Sequence, residues 1–218
     1  AGPAAGFDLP LRAAMPAGAT LASLNAPRNP KYKVEGRDIS VESLTSGVNN
    51  FYEFSENKQE VAKLAANFHS RPWQVAVRGL VEKPFKFDVD DLMKRFPLEE
   101  RVYRLRCVEA WSIVVPWVGF PMAKIVEWCK PTSRAKFVHM VSFDRPSEAP
   151  GQREHNWYPW PYFEGLRLDE ATNELALIGL GSYGKVLPNQ NGAPIRVLTP
   201  WKYGYKSIKS ITAFEFTN

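Results

Sequence analysis

Few residues in this chain carry chemistry of their own. Its soft ligands and nucleophiles are two cysteines, Cys107 and Cys129, and three histidines, His69, His139 and His155. Cys107 sits among Arg104, Arg106 and Glu109. Nearby guanidinium charge favours a thiolate, and a thiolate can act as a nucleophile, a disulfide partner or a soft-metal ligand. A structural cysteine is the plain alternative, and a disulfide with Cys129 is another. Cys129 falls on an apolar stripe and reads as a small buried hydrophobe. The histidines show no metal-site spacing, and no second cysteine stands two or four residues from Cys107, so zinc is not expected. A cysteine-nucleophile hydrolase needs a histidine beside Cys107, and none is near in sequence.

Two further strings invite chemistry and do not support it. Gly179-Leu180-Gly181-Ser182-Tyr183-Gly184 matches a dinucleotide fingerprint by letter, and with Lys185 nearly matches a phosphate-binding loop. Both motifs need a helix to start at the glycines, but Val186-Leu187-Pro188 and Asn191-Gly192-Ala193-Pro194 come next, which is loop sequence. A glycine-rich turn after a strand is expected instead. Near the end, Trp201, Lys202, Tyr203, Tyr205, Lys206 and Lys209 interleave aromatic and basic residues. That pattern suits single-stranded nucleic acid, one anionic group, or a strand edge guarded by lysine. With a net charge of only +5 and no wider basic stripe, no nucleic-acid partner is expected.

The elements that must position these residues can be read from periodicity. Gln74 to Leu80 alternates as a half-buried strand, with Phe85 to Phe87 as its hairpin partner. Asp88 suits an N-cap, and Val89, Leu92, Met93 and Phe96 mark one face of a short helix stopped by Pro97. Arg101 to Cys107 alternates again, with Tyr103, Leu105 and Cys107 on one side and Arg104 and Arg106 on the other. Pro121 suits the first turn of a helix whose stripe is Met122, Ile125, Val126 and Cys129. Lys136 to Phe143, Glu174 to Leu180, Ile195 to Leu198 and Ser207 to Phe216 read as strands. Regular structure is expected from about Asn49. The fold class expected is α+β, with mixed, largely antiparallel sheets and short helices. Residues 1–45, rich in Ala, Pro and Gly at first, read as an N-terminal extended arm over a domain of residues 46–218.

A chain of 218 residues, 44% hydrophobic and 23% charged, has the composition of an ordinary globular domain. Its 18 prolines argue against a helical bundle. No apolar run approaches the roughly 18 residues needed to span a bilayer; Pro116 and Pro121 interrupt the most apolar stretch, Ser112 to Met122. The N-terminus lacks a charged-then-apolar leader, which suits either a protein that is never exported or one whose leader has been cleaved.

One string decides among the readings of Cys107. Arg104-Leu105-Arg106-Cys107-Val108-Glu109-Ala110-Trp111-Ser112, followed by Val115-Pro116-Trp117-Val118-Gly119-Phe120-Pro121, closely resembles the catalytic subunits of bacterial periplasmic protein-methionine-sulfoxide reductases. Four more stretches agree in order: Asn49 to Phe54, Phe96 to Arg101, Gln190 to Pro194 and Pro200 to Gly204. The resemblance runs from about residue 40 to the end, and several long matches in register are specific. It implies the sulfite-oxidase-type molybdopterin-binding fold, with a molybdenum held by one molybdopterin without a nucleotide and by one cysteine sulfur. Cys107 matches that cysteine, and Asn50 and Glu109 match residues close to the metal. Asn49, Tyr52, Glu53, Ser142, Asn191, Arg196, Ser207, Ile208 and Lys209 match cofactor-binding positions; at Ser142 the family often has Thr. Arg196 and Lys209 suit the cofactor's phosphate, and Asn191 suits ring edges that present donors and acceptors.

The resemblance also implies an activity: reduction of methionine sulfoxide in exported proteins, and of small S-oxides, by oxygen-atom transfer. Trp111, Trp117 and Phe120 then either line an apolar entrance for a methionyl side chain or pack in the core. Electrons would come from a membrane haem b subunit. The protein would act in the periplasm after twin-arginine export and leader cleavage, as a monomer, on oxidised periplasmic proteins. Family members continue beyond the equivalent of Asn218. The nearest alternative is a sulfite oxidase of the same fold, which would bind a small dianion through clustered arginines; the expected strand alternation turns Arg104 and Arg106 away from Cys107. A non-catalytic exported module with a Cys107–Cys129 disulfide is a further reading.

Overall fold

The computed structural model describes residues 21–218, so the first part of the expected arm lies outside it. Helices α1 (Glu42–Gly47) and α2 (Val61–Leu64) precede the strands β1 (Gln74–Gly79) and β2 (Phe85–Asp88). Helix α3 (Val89–Arg95) leads into β3 (Glu99–Arg106), β4 (Ser112–Pro121) and α4 (Met122–Cys129). Then come β5 (Phe137–Val141), α5 (Pro150–Glu154), β6 (Phe163–Arg167), α6 (Leu168–Ala171), β7 (Leu177–Ser182), β8 (Lys185–Val186), β9 (Arg196–Leu198) and β10 (Ala213–Thr217). One sheet runs β2-β1-β10-β5-β6 and the other β3-β4-β7-β8, with β9 also paired to β7. Among these strand pairs only β1–β10 is parallel. The fold is α+β with largely antiparallel sheets, as expected from the excess of strands and the lack of a regular strand–helix alternation.

Local sequence explains the elements that were legible. In β1, Val75 and Val77 are buried while Gln74 and Arg78 are exposed, the period-2 pattern of a strand with one face on the core. Asp88 caps α3 by accepting the Asp90 backbone N–H at 2.9 Å. Asp90 and Asp91 fill its first turn and Lys94 and Arg95 its last, the charge order that the helix dipole favours. In α4 the stripe Met122, Ile125, Val126 and Cys129 is buried, and Lys130 ends the helix in the left-handed region.

Several elements depart from the reading. β4 is a ten-residue strand through Pro116, where the prolines had suggested an interruption. The strand tolerates Pro116 because its β3 partner is Val102 while the β7 ladder begins only at Trp117. The Pro116 carbonyl accepts the Tyr183 N–H at 3.1 Å, so its missing N–H faces that ladder end, where a proline costs no interior bond. Among the described residues the first helix or strand is α1 rather than one near Asn49, and residues 49–55 form a turn. Pro121 closes β4 and caps α4 instead of entering its first turn. Residues 207–212 are not strand; β10 begins at Ala213. Residues 208–211 bond instead to the 192–197 segment: the Val197 N–H donates to the Ile208 carbonyl at 3.1 Å and the Ser210 N–H to the Gly192 carbonyl at 3.2 Å.

A large aromatic core underlies the segments that carry the site. Phe54, Phe68, Trp73 and Phe143 are all buried, with Phe68 and Phe143 rings 4.6 Å apart and the Trp73 indole N–H on the Ile211 carbonyl at 2.7 Å. Phe120 belongs to this core, stacked on Phe96 at 4.5 Å; it does not line an entrance.

Candidate functional site

Four loops and the β3–β4 pair wall a cavity of about 520 Å³. The first loop is the turn after α1. Phe51 and Phe54 plunge into the aromatic core, their rings 5.0 Å apart. They hold Tyr52 and Glu53 between them, and Asn49 and Asn50 just before them, at the cavity wall. Helix α5 clamps this turn from behind: the Gln152 N–H donates to the Glu53 carbonyl at 3.1 Å. A Cβ on Gly151 would lie 2.1 Å from the Tyr52 carbonyl oxygen, so the contact requires glycine.

Cys107 follows β3 rather than ending it. The tight β3–β4 turn is closed by the Cys107 N–H on the Trp111 carbonyl at 2.9 Å and the Ala110 N–H on the Cys107 carbonyl at 3.1 Å, with Ala110 at φ 66. The turn presents the half-buried Cys107 sulfur to the cavity, where Asn50 Nδ2 lies 3.8 Å from Sγ. Both cysteines are free, so the disulfide reading fails. Cys129 is buried in α4, and burial pushes its thiol pKa up to about 12. Glu109 is ion-paired to Lys58 and accepts the Trp111 indole N–H at 3.2 Å. Lys58 first, then Trp111, holds the Glu109 carboxyl below its usual range. His155 borders the cavity too, but its Nε2 lies 3.6 Å from Glu56.

The opposite wall comes from residues 190–196 and 204–209. Asn191 is buried and its Oδ1 accepts from Asn49 Nδ2 at 2.7 Å, while that same nitrogen also donates to the Thr45 carbonyl at 2.8 Å. Gly192, at φ 96, turns the chain out of the short 3₁₀ segment, and a Cβ there would meet Lys209 Cβ at 2.7 Å. Arg196 donates to the Asn191 carbonyl at 2.7 Å and the Ser207 carbonyl at 3.2 Å, and its guanidinium lies 4.9 Å from the Trp117 ring centre. Lys209 Nζ donates to the Asn50 carbonyl at 2.8 Å. Ile208 lines the cavity beside it.

Ser142 and Ser207 do not line the cavity; they brace it from behind. The Ser142 hydroxyl donates to the Lys209 carbonyl at 2.9 Å, and the Ser207 hydroxyl accepts the Thr199 N–H at 3.2 Å. The other expected positions all reach the cavity. Arg106 borders it as well, contrary to the expectation that alternation turns Arg104 and Arg106 wholly away. The strand ends at Arg106, so the turn no longer keeps its period.

Sequence reasoning missed the aromatic side of the cavity, where His155, Trp157, Tyr158, Trp160 and Tyr162 arrive from the α5–β6 loop. Trp157 is 75% exposed. The signal was present as four aromatic residues packed with two prolines in eight positions. Such a loop has no period to read, and only its exposure marks it as a binding surface.

The electrostatics call for an anion. Burial lowers the pKa of Arg196 to about 10. Lys209 opens partly onto the cavity, yet protein surrounds its ammonium; burial and then the Arg196 charge push its pKa down to about 7. Glu53 is buried beside them, and burial raises its carboxyl to about 7. Two basic groups therefore stand at the cavity, and the acidic neighbour of Lys209 resists ionising. Among the described residues, the buried side-chain atoms without a hydrogen-bond partner include Asn49 Oδ1, Asn50 Oδ1, Trp117 Nε1 and Arg196 Nε. All four belong to residues that line the cavity. Each such atom costs about 1–3 kcal/mol if left unpaired. An anionic ligand that carries both donors and acceptors fits this set. Among the described residues no three His, Cys, Asp or Glu side chains are grouped to hold a metal ion; the Cys107 sulfur is the soft donor that faces the cavity.

Those features fit a molybdopterin-type oxidoreductase site, and the comparisons give the chain's family. Residues 62–218 match the family described as the oxidoreductase molybdopterin binding domain, and the chain belongs to that family. It is 50% identical over 200 residues to the protein-methionine-sulfoxide reductase catalytic subunit MsrP of Burkholderia mallei, covering 92% of this chain and 60% of that protein. It is 48% identical over 206 residues to the MsrP of Ralstonia nicotianae, covering 94% of this chain and 61% of that protein. The chain thus spans about three fifths of the length of these relatives. The solved sulfane dehydrogenase SoxCD of Paracoccus pantotrophus shares the fold, with a TM-score of 0.57 at 16% identity over 70% of this chain and 40% of that one. The resemblance seen in the Cys107 string holds, and the family's cofactor is the molybdopterin that it implied.

Proposed function

We propose that this chain forms the catalytic core of a molybdenum-dependent protein-methionine-sulfoxide reductase, with Cys107 as the protein's ligand to the metal. One observation carries the reading: a single cavity gathers the Cys107 sulfur, two buried cations and unpartnered buried polar atoms of both kinds. Arg196 and Lys209 would hold the cofactor's phosphate with charge-assisted bonds. Asn49, Asn191, Tyr52, Glu53 and Ile208 would hold its rings, with Ser142 and Ser207 bracing the wall behind. When bound, the molybdenum-molybdopterin group supplies the two-electron chemistry that takes the oxygen from a sulfoxide and leaves the thioether.

The chain's own residues do the rest. Asn50 directs an amide N–H toward the Cys107 sulfur, fixing the side chain that anchors the metal. Glu109, held by Lys58 and Trp111, stands beside Cys107 as a fixed carboxylate that orients oxygen ligands or hands on a proton. Trp111, Trp157 and Tyr52 give the mouth an apolar lining that fits a methionyl side chain. The sequence identity to two proteins named as reductase catalytic subunits supports this substrate class. It also supports a separate electron donor, for which we propose a membrane haem b subunit. On the same reading the protein works in the periplasm as a monomer, exported by the twin-arginine route, on oxidised periplasmic proteins and small S-oxides.

The test is direct. Purified protein should contain close to one molybdenum per chain and reduce methionine sulfoxide with an artificial electron donor faster than it oxidises sulfite. Cys107→Ala should lose the metal-centred activity. Faster sulfite turnover, or full molybdenum content and activity in Cys107→Ala, would overturn the assignment.

A further inference from the structure

Trp117 lies on β4, the strand hydrogen-bonded to both β3 and β7, opposite Arg101 on one side and Ser182 on the other. The same register places Leu105, Ile113 and Trp117 on one face of the β3–β4 pair, and all three line the cavity. The ring is only 3% exposed. The indole nitrogens of Trp73, Trp111 and Trp160 donate to Ile211, Glu109 and His155 respectively. Trp117 Nε1 is buried without a partner.

A buried orphan donor is expensive, and an apolar side chain in its place would avoid that cost. The cost makes sense only if an acceptor arrives. A neighbouring donor in the same condition narrows what that acceptor is. Arg196 commits one terminal nitrogen to Asn191 and the other to Ser207, leaving its Nε without a partner. Its guanidinium lies over the Trp117 ring at 4.9 Å, within the range of a cation–π contact. Two stacked neighbours therefore each hold an N–H donor that nothing in the described chain satisfies.

We infer that Trp117 is a cofactor-positioning residue, whose ring seats the Arg196 guanidinium and whose indole N–H donates to an oxygen or ring-nitrogen acceptor of the bound molybdopterin. The inference rests on the molybdopterin reading proposed above. It assigns to Trp117 a ligand-binding role that a core-packing tryptophan would not have.

Two substitutions separate the N–H from the ring. Trp117→Phe keeps an aromatic ring under Arg196 and removes the donor. Benzothienylalanine at position 117 keeps the bicyclic shape and replaces only the N–H with sulfur, so it also covers a Phe variant that folds poorly. The readout is molybdopterin retained after extended dialysis, measured as released pterin fluorescence per chain. A second readout is the indole ¹⁵N–¹H signal of Trp117 in cofactor-free and loaded wild type. Both variants should lose molybdopterin about tenfold faster than wild type, the scale of one lost buried hydrogen bond, while the cofactor-free benzothienylalanine form, relieved of the unpaired donor, should melt no lower than cofactor-free wild type. The wild-type indole signal should move downfield on loading. Retention equal to wild type, or an indole signal indifferent to loading, overturns the inference alone. A wild-type protein that takes up no molybdopterin overturns it together with the proposed function.

Discussion

Lys209 and Glu53 make the cavity's empty and loaded states differ in a measurable way. The folded chain holds the Lys209 pKa near 7 against 10.5 for the free side chain, through burial first and Arg196 second. The unfolded chain therefore binds more protons between about pH 7 and 10.5, and stability from this group rises with pH across that window. Glu53 runs the other way: its folded pKa is raised from 4.5 to about 7 by burial. The folded state holds the extra proton there, so stability from Glu53 falls as pH rises from 4.5 to about 7. Both groups disfavour the cofactor-free fold most near neutrality. Lys209→Met removes the buried ammonium, so the cofactor-free variant should melt higher than cofactor-free wild type. That gain should be largest at pH 6 and vanish by pH 11, where the lysine is neutral in both states. Loading should reverse the order, because a bound phosphate needs the ammonium: the variant should retain molybdopterin at least tenfold less well. Thermal melts of both forms from pH 6 to 11 check the crossover, and a variant less stable than wild type in both forms contradicts it.

At the scale of elements, the site is held by close backbone approaches more than by its own side chains. Gly151 lets α5 press on the Tyr52–Glu53 backbone, where a Cβ would sit 2.1 Å from a carbonyl oxygen. Gly151→Ala must push α5 and the turn apart. Overpacking of this kind costs about 1–3 kcal/mol, readable in urea denaturation, and the displaced turn should also weaken molybdopterin retention. A variant with wild-type stability and retention would mean that the turn is not clamped from this side. Such approaches also separate the legible elements from the hidden ones. The hairpin β1–β2, α3 and α4 arise from local periodicity and caps, and the sequence carries those openly. β4 was hidden because Pro116 looks like a strand breaker unless the point where the β7 ladder begins is known. Residues 208–211 look like strand by composition, but they bond to the 192–197 segment, a contact that no local pattern announces. Cys107 itself was ambiguous on charge and spacing; only the long matching strings around it singled out a metal ligand. The aromatic loop from His155 to Tyr162 reaches the cavity from another part of the chain, and aperiodic loops leave no signal for such a contact.

Across the whole molecule, the cavity ties together segments distant in sequence: the turn at 49–53, the β3–β4 turn, the 190–196 stretch and residues 204–209. Each is a loop or strand end, where local opening is cheapest in an empty protein. A ligand that binds only the folded state stabilises it by RT ln(1 + [L]/Kd). A ligand that fills the cavity would contact all four segments at once, and it should couple their openings rather than protect one alone. Amide hydrogen exchange on cofactor-free and loaded protein tests this. Loading should slow exchange together at residues 49–53, 105–111, 190–196 and 207–209, by about a hundredfold if the complex contributes some 3 kcal/mol. The β1–β2 hairpin and α3 lie outside the cavity walls, and their exchange should change only by the gain in global stability. If protection rose at one segment and left the other three unchanged, the four would not share a ligand, and the cavity would be a cleft with a local site rather than the binding centre of the fold.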